Sequence, residues 1–294
     1  MEAIAAMGHE AVGADSRADR EKDVEANIRR VQPDRCISLI GRTRGGNFLT
    51  IDYLEQKGKL AENMRDNIWG PMVLAAVCKK HSIHLVYLGT GCIFHYDDDM
   101  FQLGSGNGFT ESDDPNFFGS SYSTVKGYTD RMMRLMFDDA ALNCRIRMPI
   151  TPDDSPYNFI TKIAKYDKVI NVPNSMTVLP DLIPRMLQLS VRKVTGTINL
   201  TNPGAISHNQ VLALYRKHVD PNFTWENFTI EEQDKILLGG RSNNLLDTSK
   251  LKGYFPDVDD IHTAVEKICV EMGKRYPNGI VPKKDKLSGA ASCA

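Results

Sequence analysis

Blocks of apolar residues alternate with polar segments along the chain, and their spacing predicts an α/β protein. The longest block, Ile83–Phe94 (IHLVYLGTGCIF), predicts a buried strand that runs into a glycine-containing turn. Shorter blocks predict strands at His9–Gly13, Cys36–Ile40, Cys144–Met148, Lys168–Val172 and Thr197–Leu200. Helical spacing predicts helices at Met1–Met7, in a segment ending near Val31, and at Lys57–His81, Ser120–Phe137, Phe159–Tyr166, Leu179–Val191, Ser207–His218 and Ile261–Met272.

Strands that alternate with helices predict a doubly wound parallel sheet of the Rossmann-like type. We predict a dinucleotide-binding domain at 1–150 and a smaller C-terminal substrate lobe at 151–281, some of whose strands and helices return to the sheet. Residues 282–294 are rich in lysine and small residues and are predicted to be a disordered tail. In such sheets ligands bind at the carboxyl ends of strands, so residues that follow Leu88 and Met148 are the first candidates for a site.

Composition narrows the class of protein. The 294 residues are 41% hydrophobic, which is enough for a sizeable core. Lysine plus arginine number 36 and aspartate plus glutamate 37, so the net charge of −1 gives no support for a nucleic-acid binder. No apolar run approaches the roughly 18 residues of a membrane span. The six cysteines form no Cys-x-x-Cys pair, which predicts reduced thiols in a cytoplasmic protein.

Tyr122 and Lys126 lie four residues apart in one predicted helix (YSTVK). Residues with this spacing share a helix face, so the phenol and the ammonium can reach one site. A nearby cation lowers the pKa of a phenol, which makes it a usable acid or base near neutral pH. The pair alone is a weak signal, because most such pairs lie on a solvated face. Thr90 strengthens it by placing a hydroxyl at the end of the longest predicted strand.

A strand-end hydroxyl followed by a helix with Tyr and Lys resembles the short-chain dehydrogenase/reductases, whose triad protonates a carbonyl oxygen while nicotinamide delivers hydride to its carbon. Nearly the whole chain, to about Gly273, resembles one extended subfamily. These are the bifunctional nucleotide-4-keto-6-deoxyglucose 3,5-epimerase/4-keto-reductases, which occur alone or as the C-terminal part of UDP-rhamnose synthases. The similar segments are TGCIFHYD (Thr90–Asp97), GSGNGFTESDDPNFFGSSYSTVK (Gly104–Lys126), RIRMPI (Arg145–Ile150), NFITK (Asn158–Lys162), VPNSMTVL (Val172–Leu179), TNPGAISHNQ (Thr201–Gln210) and RSNNLLD (Arg241–Asp247).

The resemblance implies an enzyme that converts UDP- or TDP-4-keto-6-deoxyglucose to the L-rhamnose nucleotide with NADPH or NADH and without a metal. Cys92 and Lys162 match the family's epimerisation pair, and Thr90, Tyr122 and Lys126 match its reduction triad. The 4-keto group acidifies the protons on C3 and C5, and inversion requires proton removal from one face and return to the other. A thiol and an amine can do this when the pocket brings their pKa values toward neutrality. Without the resemblance, Cys92 would be interpreted as a buried thiol and Lys162 as a solvated charge.

The resemblance also suggests binding contacts. Predicted contacts to the cofactor are Arg17, Asn67, Tyr122, Lys126 and Met148, and predicted contacts to the substrate are Asn158, Asn174 and Arg241. An arginine at the position of Arg17 can bind the 2′-phosphate of NADP. Arg241 offers a planar set of hydrogen-bond donors that suits the diphosphate of the substrate. Structural alternatives stay open: a solvated loop or surface for the arginines, and a satisfied core, cap or turn for the asparagines.

One feature departs from the family. Its members begin with a strand and a Gly-x-x-Gly-x-x-Gly turn that cradles the cofactor pyrophosphate, and this sequence contains neither. An incomplete gene product, a fragment of a longer multifunctional chain and a short protein that has lost NADP binding all explain this. Alternative functions are reduction alone by a 4-dehydrorhamnose reductase, against which Cys92 and Lys162 argue, and non-catalytic sugar-nucleotide binding. A homodimer, or fusion to a 4,6-dehydratase, is the predicted assembly.

Overall fold

The computed structural model describes residues 1–277 and 279–280, so the predicted disordered tail, 282–294, lies outside the described residues. The strands are β1 (Arg35–Ser38), β2 (His84–Thr90), β3 (Ala141–Ile146), β4 (Pro149–Ile150), β5 (Lys168–Val169), β6 (Thr177–Val178), β7 (Gly196–Asn199) and β8 (Glu226–Asn227). The α-helices are α1 (Glu2–Ala5), α2 (Glu21–Val31), α3 (Leu60–Met64), α4 (Gly70–Lys80), α5 (Ser121–Met136), α6 (Phe159–Ile163), α7 (Leu179–Val191), α8 (His208–His218), α9 (Ile230–Asp234), α10 (Ser249–Tyr254) and α11 (Ile261–Arg275).

A parallel sheet with the spatial order β1, β2, β3, β7 forms the centre of the molecule. The register pairs Cys36 with Leu85, Leu88 with Cys144, and Cys144 with Ile198. Parallel neighbours require long crossover connections, and the helices between the strands supply them. The structure therefore confirms the predicted α/β fold with a parallel sheet.

Side chains along β2 alternate between two buried faces of the sheet. Leu85 and Tyr87 pack with α2, α4 and α5 on one face. Val86 packs with α7 and α10 on the other face. Because helices cover both faces, β2 has no solvated side, and this explains its near-continuous apolar sequence.

The second half of the chain contributes to the sheet and also forms a core of its own. α7 and β7 join the sheet side, whereas α6, α8 and α11 pack around a second apolar cluster that includes Ile150, Met176 and Ile206. The division at 1–150 and 151–281 stays a prediction. Within the described part of the chain, no helix is both long enough and apolar enough to cross a membrane.

The predicted helix at Lys57–His81 forms as α3, a π-helical turn (Arg65–Trp69) and α4 in succession. Asn67 lies within the π turn and is fully buried. Its Oδ1 accepts from the Arg42 backbone N–H at 2.7 Å, and its Nδ2 donates to the Arg42 carbonyl at 2.8 Å. Its own carbonyl accepts from the Thr129 hydroxyl at 2.7 Å. Asn67 therefore ties the loop after β1, and also α5, to this helix.

The predicted strand at His9–Gly13 is wrong. Val12 is 54% exposed, so the segment buries little apolar surface. A strand also needs a neighbour for its backbone groups, and among the described residues β1 pairs only with β2. The strand predicted at Lys168–Val172 shortens to Lys168–Val169, because its partner β8 is only two residues long. The short helices α9 and α10 were not predicted, since five or six residues show little periodicity.

A buried ion pair joins α5 to β3. Arg145 is fully buried, and its Nε and Nη2 donate to Asp130 Oδ1 and Oδ2 at 2.9 and 2.7 Å.

We expect Asp130→Ala to lower the free energy of unfolding by about 3–5 kcal/mol, because the Arg145 guanidinium is left buried without its counter-charge. Urea denaturation measures this. Arg29→Ala, which removes an exposed pair with Glu25, should cost less than about 0.5 kcal/mol. Equal losses in the two variants would contradict the prediction.

Candidate active site

The carboxyl ends of β2 and β3 lie side by side, with Thr90 in register with Ile146. The chain leaves β2 through Gly91, where an added Cβ would lie 2.7 Å from Leu246 Cδ1, so any larger residue would force the Leu246 side chain to shift. The next residue, Cys92, donates its backbone N–H to Thr90 Oγ1 at 3.0 Å and is half-buried. The predicted strand end therefore brings Thr90 and Cys92 together.

α5 brings the phenol and the ammonium to the same place. Ser120 caps this helix by accepting from the Ser123 N–H at 3.0 Å, which fixes the start of the first turn. Tyr122 and Lys126 then lie on one face of the helix, 8% and 4% exposed. Tyr122 is hydrogen-bonded to Thr90. Both groups are also close enough to Cys92 to sense its charge. Thr90, Cys92, Tyr122 and Lys126 thus form one cluster.

The pKa of Tyr122 is raised, contrary to the prediction that a neighbouring cation would lower it. Burial is the largest cause, nearby Cys92 adds to it, and the hydrogen bond with Thr90 opposes it. Burial also lowers the pKa of Lys126 to about 8, against the opposing charge of Asp130. The phenol therefore holds its proton at neutral pH, which suits a proton donor.

Tyr87 is a site neighbour that the sequence did not suggest. Its hydroxyl accepts a hydrogen bond from Lys126 Nζ, and the ring is fully buried on the α5 side of β2. Burial raises the pKa of this phenol well above its usual value. The two-residue period of a strand could have indicated Tyr87, because it follows Leu85 by two residues and therefore lies on the same face of β2, which packs against α5.

Arg147 is a second neighbour that the sequence did not single out. It directly follows β3, is 1% exposed, and donates from Nη1 to the Gly91 carbonyl at 3.0 Å. The residue after it, Met148, has a φ of 40°, in the left-handed region that non-glycine residues rarely adopt. The sequence could have indicated Arg147 through the unusual presence of two arginines in a segment predicted to be a buried strand (RIRMPI).

Lys162, the predicted partner of Cys92, lies half-buried on α6 in the second core. Asn158, just before that helix, is 3% exposed; its Oδ1 accepts from the Thr151 N–H at 3.1 Å and its Nδ2 donates to the Asp153 carbonyl at 2.8 Å. Asn158 therefore shapes the loop that leads to Lys162. A role in binding the substrate stays a prediction for it.

The other two predicted substrate contacts are also engaged within the protein. Asn174 is fully buried, with Oδ1 accepting from Arg147 Nη2 at 2.7 Å and Nδ2 donating to Asn243 Oδ1 at 2.8 Å. Arg241 Nη2 forms a buried ion pair with Asp52 Oδ2 at 2.6 Å. A direct contact of either residue with a ligand would compete with these bonds.

Of the remaining predicted cofactor contacts, Arg17 is 48% exposed and pairs with Asp19 and Asp66. The side-chain amide of Asn67 is hydrogen-bonded to the backbone of Arg42. This agrees with the structural alternative, in which Asn67 is a core residue whose hydrogen bonds are satisfied within the protein. The buried Tyr122 and Lys126 suit the nicotinamide end of a cofactor. Within residues 1–277 and 279–280, no helix starts on a Gly-x-x-Gly-x-x-Gly turn that would suit its pyrophosphate.

Comparison with known proteins places these features in a family, although no protein-family model matches the chain. Uncharacterized protein L780 of Acanthamoeba polyphaga mimivirus is 53% identical over 266 residues, which are 90% of this chain and 91% of that protein. A bifunctional dTDP-4-dehydrorhamnose 3,5-epimerase/dTDP-4-dehydrorhamnose reductase of Arabidopsis thaliana is 42% identical over 260 residues, 88% of this chain and 84% of that protein.

Solved structures agree with this placement. The crystal structure of the L780 UDP-rhamnose synthase has a TM-score of 0.87 to this chain and covers 91% of it, with 92% of that chain matched. A dTDP-4-dehydrorhamnose reductase from Bacillus anthracis, solved in complex with NADP, has a TM-score of 0.71 at 17% identity and 86% coverage of both chains, which shows the shared fold alone. The chain therefore belongs to the family of the bifunctional 4-dehydrorhamnose 3,5-epimerase/reductases and the UDP-rhamnose synthase L780, on the extended short-chain dehydrogenase/reductase fold.

Proposed function

We propose that this protein is an enzyme that epimerises C3 and C5 of a nucleotide-4-keto-6-deoxyglucose and reduces its 4-keto group to yield the L-rhamnose nucleotide. The observation that carries the proposal is the joining of Thr90, Cys92, Tyr122 and Lys126 at one strand end. The family supports both activities, and reduction alone would leave Cys92 without a role at this position. The nucleoside of the substrate is uridine or thymidine.

Epimerisation needs a base on one face of the sugar and an acid on the other. The base takes the proton from C3 or C5, the C–H electron pair forms a double bond to C4, and the π pair of the carbonyl moves to O4, so that an enolate forms. The acid then returns a proton to the opposite face of the same carbon, and the 4-keto group is restored. We assign Cys92 and Lys162 to these two faces. Tyr122 and Thr90 stabilise the enolate oxygen by hydrogen bonds.

Reduction uses the same carbonyl. Tyr122, which holds its proton at neutral pH, donates it from the phenol oxygen to O4 as the carbonyl becomes an alcohol. Thr90 holds that phenol by a hydrogen bond. Lys126, one turn further along the same helix face, supplies positive charge to the site. A bound nicotinamide cofactor, NADPH or NADH, supplies the hydride to C4. The cytoplasmic location, the homodimer and the fusion to a 4,6-dehydratase stay predictions.

The role of Cys92 is tested by proton exchange. In Cys92→Ala we expect the uptake of solvent deuterium at C3 and C5 of the 4-keto sugar nucleotide to fall by about 10²–10⁴-fold, because one of the two faces loses its proton carrier. NMR or mass spectrometry measures the uptake. Cys36→Ala removes another half-buried thiol and should keep the wild-type rate. Wild-type exchange at both carbons in Cys92→Ala would refute the assignment.

The role of Tyr122 is tested by separating the two reactions. Tyr122→Phe should reduce cofactor oxidation by about 10²–10⁴-fold, because O4 loses its proton donor. Deuterium exchange should fall by a smaller factor, because Thr90 still donates to the enolate oxygen and Cys92 and Lys162 still carry the proton. The absorbance of the reduced cofactor at saturating 4-keto sugar nucleotide gives the rate. Tyr128→Phe alters an exposed phenol of the same helix and should leave both rates unchanged. Reduction at the wild-type rate in Tyr122→Phe would remove the phenol from the mechanism.

Lys126 is tested through stability. In the folded protein its pKa is about 8, below the 10.5 of an unfolded chain, so its charge opposes folding below pH 8 and this penalty disappears as the pH rises to 10.5. We expect Lys126→Met to abolish reduction at pH 7 and yet to be more stable than the wild type, on the order of 3 kcal/mol. The difference should shrink toward pH 10.5.

Urea denaturation at pH 7 and pH 10 measures this difference. Lys79→Met, which changes an exposed lysine that pairs with Asp139, should show no such gain at either pH. A Lys126→Met variant that is less stable than the wild type at pH 7 would indicate a structural lysine.

A further inference from the structure

Arg147 is a buried cation whose hydrogen-bond acceptors are all uncharged. Nε donates to the Ser175 carbonyl at 3.3 Å. Nη1 donates to the Gly91 carbonyl at 3.0 Å and to Ser242 Oγ at 2.7 Å. Nη2 donates to Asn174 Oδ1 at 2.7 Å and to the Ser242 carbonyl at 2.9 Å. The donors of the guanidinium are therefore used, but none of these acceptors neutralises its charge.

Arg145, two residues earlier, is the natural comparison. It is equally buried, but Asp130 meets it with both carboxylate oxygens. For Arg147, no ion pair with a carboxylate exists within the residues that the structure describes. An arginine keeps its charge in proteins, and a buried charge without a partner opposes folding by several kcal/mol. A requirement outside folding would explain a buried charge of this kind.

The charge of Arg147 lies beside Cys92. Its Nη1 holds the carbonyl of Gly91, the residue that directly precedes the cysteine. Burial lowers the pKa of Arg147, and the anionic forms of Cys92 and Tyr96 oppose this, so the groups interact electrostatically. From α5, Lys126 and Tyr122 face the same thiol. Arg147 and Lys126 are thus the two positive charges around Cys92 for which the structure gives an interaction.

We propose that Arg147 is a positioning residue for epimerisation, which holds the Cys92 turn through Gly91 and provides the positive charge that stabilises the Cys92 thiolate. The inference rests on the proposed role of Cys92. When the thiolate takes a proton from the sugar carbon, the negative charge passes from sulfur to O4 of the enolate. A guanidinium at the turn does not give up a proton near neutral pH, so it supports the anion at sulfur without competing as an acid.

The test measures the thiol directly and needs no turnover. Wild type and Arg147→Gln are alkylated with iodoacetamide between pH 5 and 10, and mass spectrometry of the Cys92 peptide gives the rate at each pH. We expect the midpoint of the alkylation profile to move upward by on the order of one pH unit in Arg147→Gln, which is about tenfold less thiolate at pH 7. Arg185→Gln removes a partly buried arginine that pairs with Asp257, and its midpoint should stay at the wild-type value.

Arg147→Lys separates charge from hydrogen bonding and serves also if Arg147→Gln does not fold. A lysine keeps the positive charge but loses the planar set of N–H donors of the guanidinium. The midpoint of the Cys92 alkylation profile in Arg147→Lys should therefore stay within about 0.3 pH units of the wild type. An unchanged midpoint in folded Arg147→Gln, or an upward shift of one unit in folded Arg147→Lys, would overturn the proposal. Full deuterium exchange in Cys92→Ala would instead refute the proposed role of Cys92 in epimerisation, and the alkylation result would still report on the interaction between Arg147 and the thiol.

Discussion

The parallel pairing of β2 with β3 is the constraint on which the rest of the molecule depends. It is the most extensive pairing in the sheet, from Leu85–Ala141 to Thr90–Ile146. Because both strands run in the same direction, their carboxyl ends finish together. Thr90 and the Cys92 turn therefore leave the sheet beside Arg147, and α5 packs along the same strands with Tyr122 and Lys126 at its first two turns. A slip in this register would separate these groups.

Burial is the second constraint, and it acts differently on each group of the cluster. Removal from water favours the neutral forms, so Tyr122 keeps its proton and Lys126 gives up its own more readily than a free lysine. Arg147 remains charged under the same conditions. The cluster thus combines a protonated phenol, a lysine that titrates near pH 8 and a permanent cation around one thiol. Acid–base chemistry beside a carbonyl requires such differences between neighbouring groups.

The long, periodic elements were predictable from the sequence, and the exceptions have physical causes. The helix at Leu179–Val191 and the cap at Ser207 follow from local rules, apolar spacing and a capping box with Gln210. The strand prediction at His9–Gly13 was wrong because a strand needs a neighbouring strand to pair with, and local sequence does not show whether one is present. The π turn around Asn67 was also outside the reach of periodicity, since a widened turn shifts the pattern by only one residue.

By itself the sequence determined the fold class, the strand that ends at Thr90 just before Cys92, and the pairing of Tyr122 with Lys126 on one helix face, because these depend on spacing along the chain. Tertiary structure decided the rest. It placed Tyr87 against Lys126 and Asp130 against Arg145, and within the described part of the chain it surrounded Arg147 with uncharged hydrogen-bond acceptors. It also raised the pKa of Tyr122, where the sequence predicted a lowered one, because burial outweighs the hydrogen bond with Thr90. Which groups are buried together depends on contacts between distant segments, and residue spacing does not encode them.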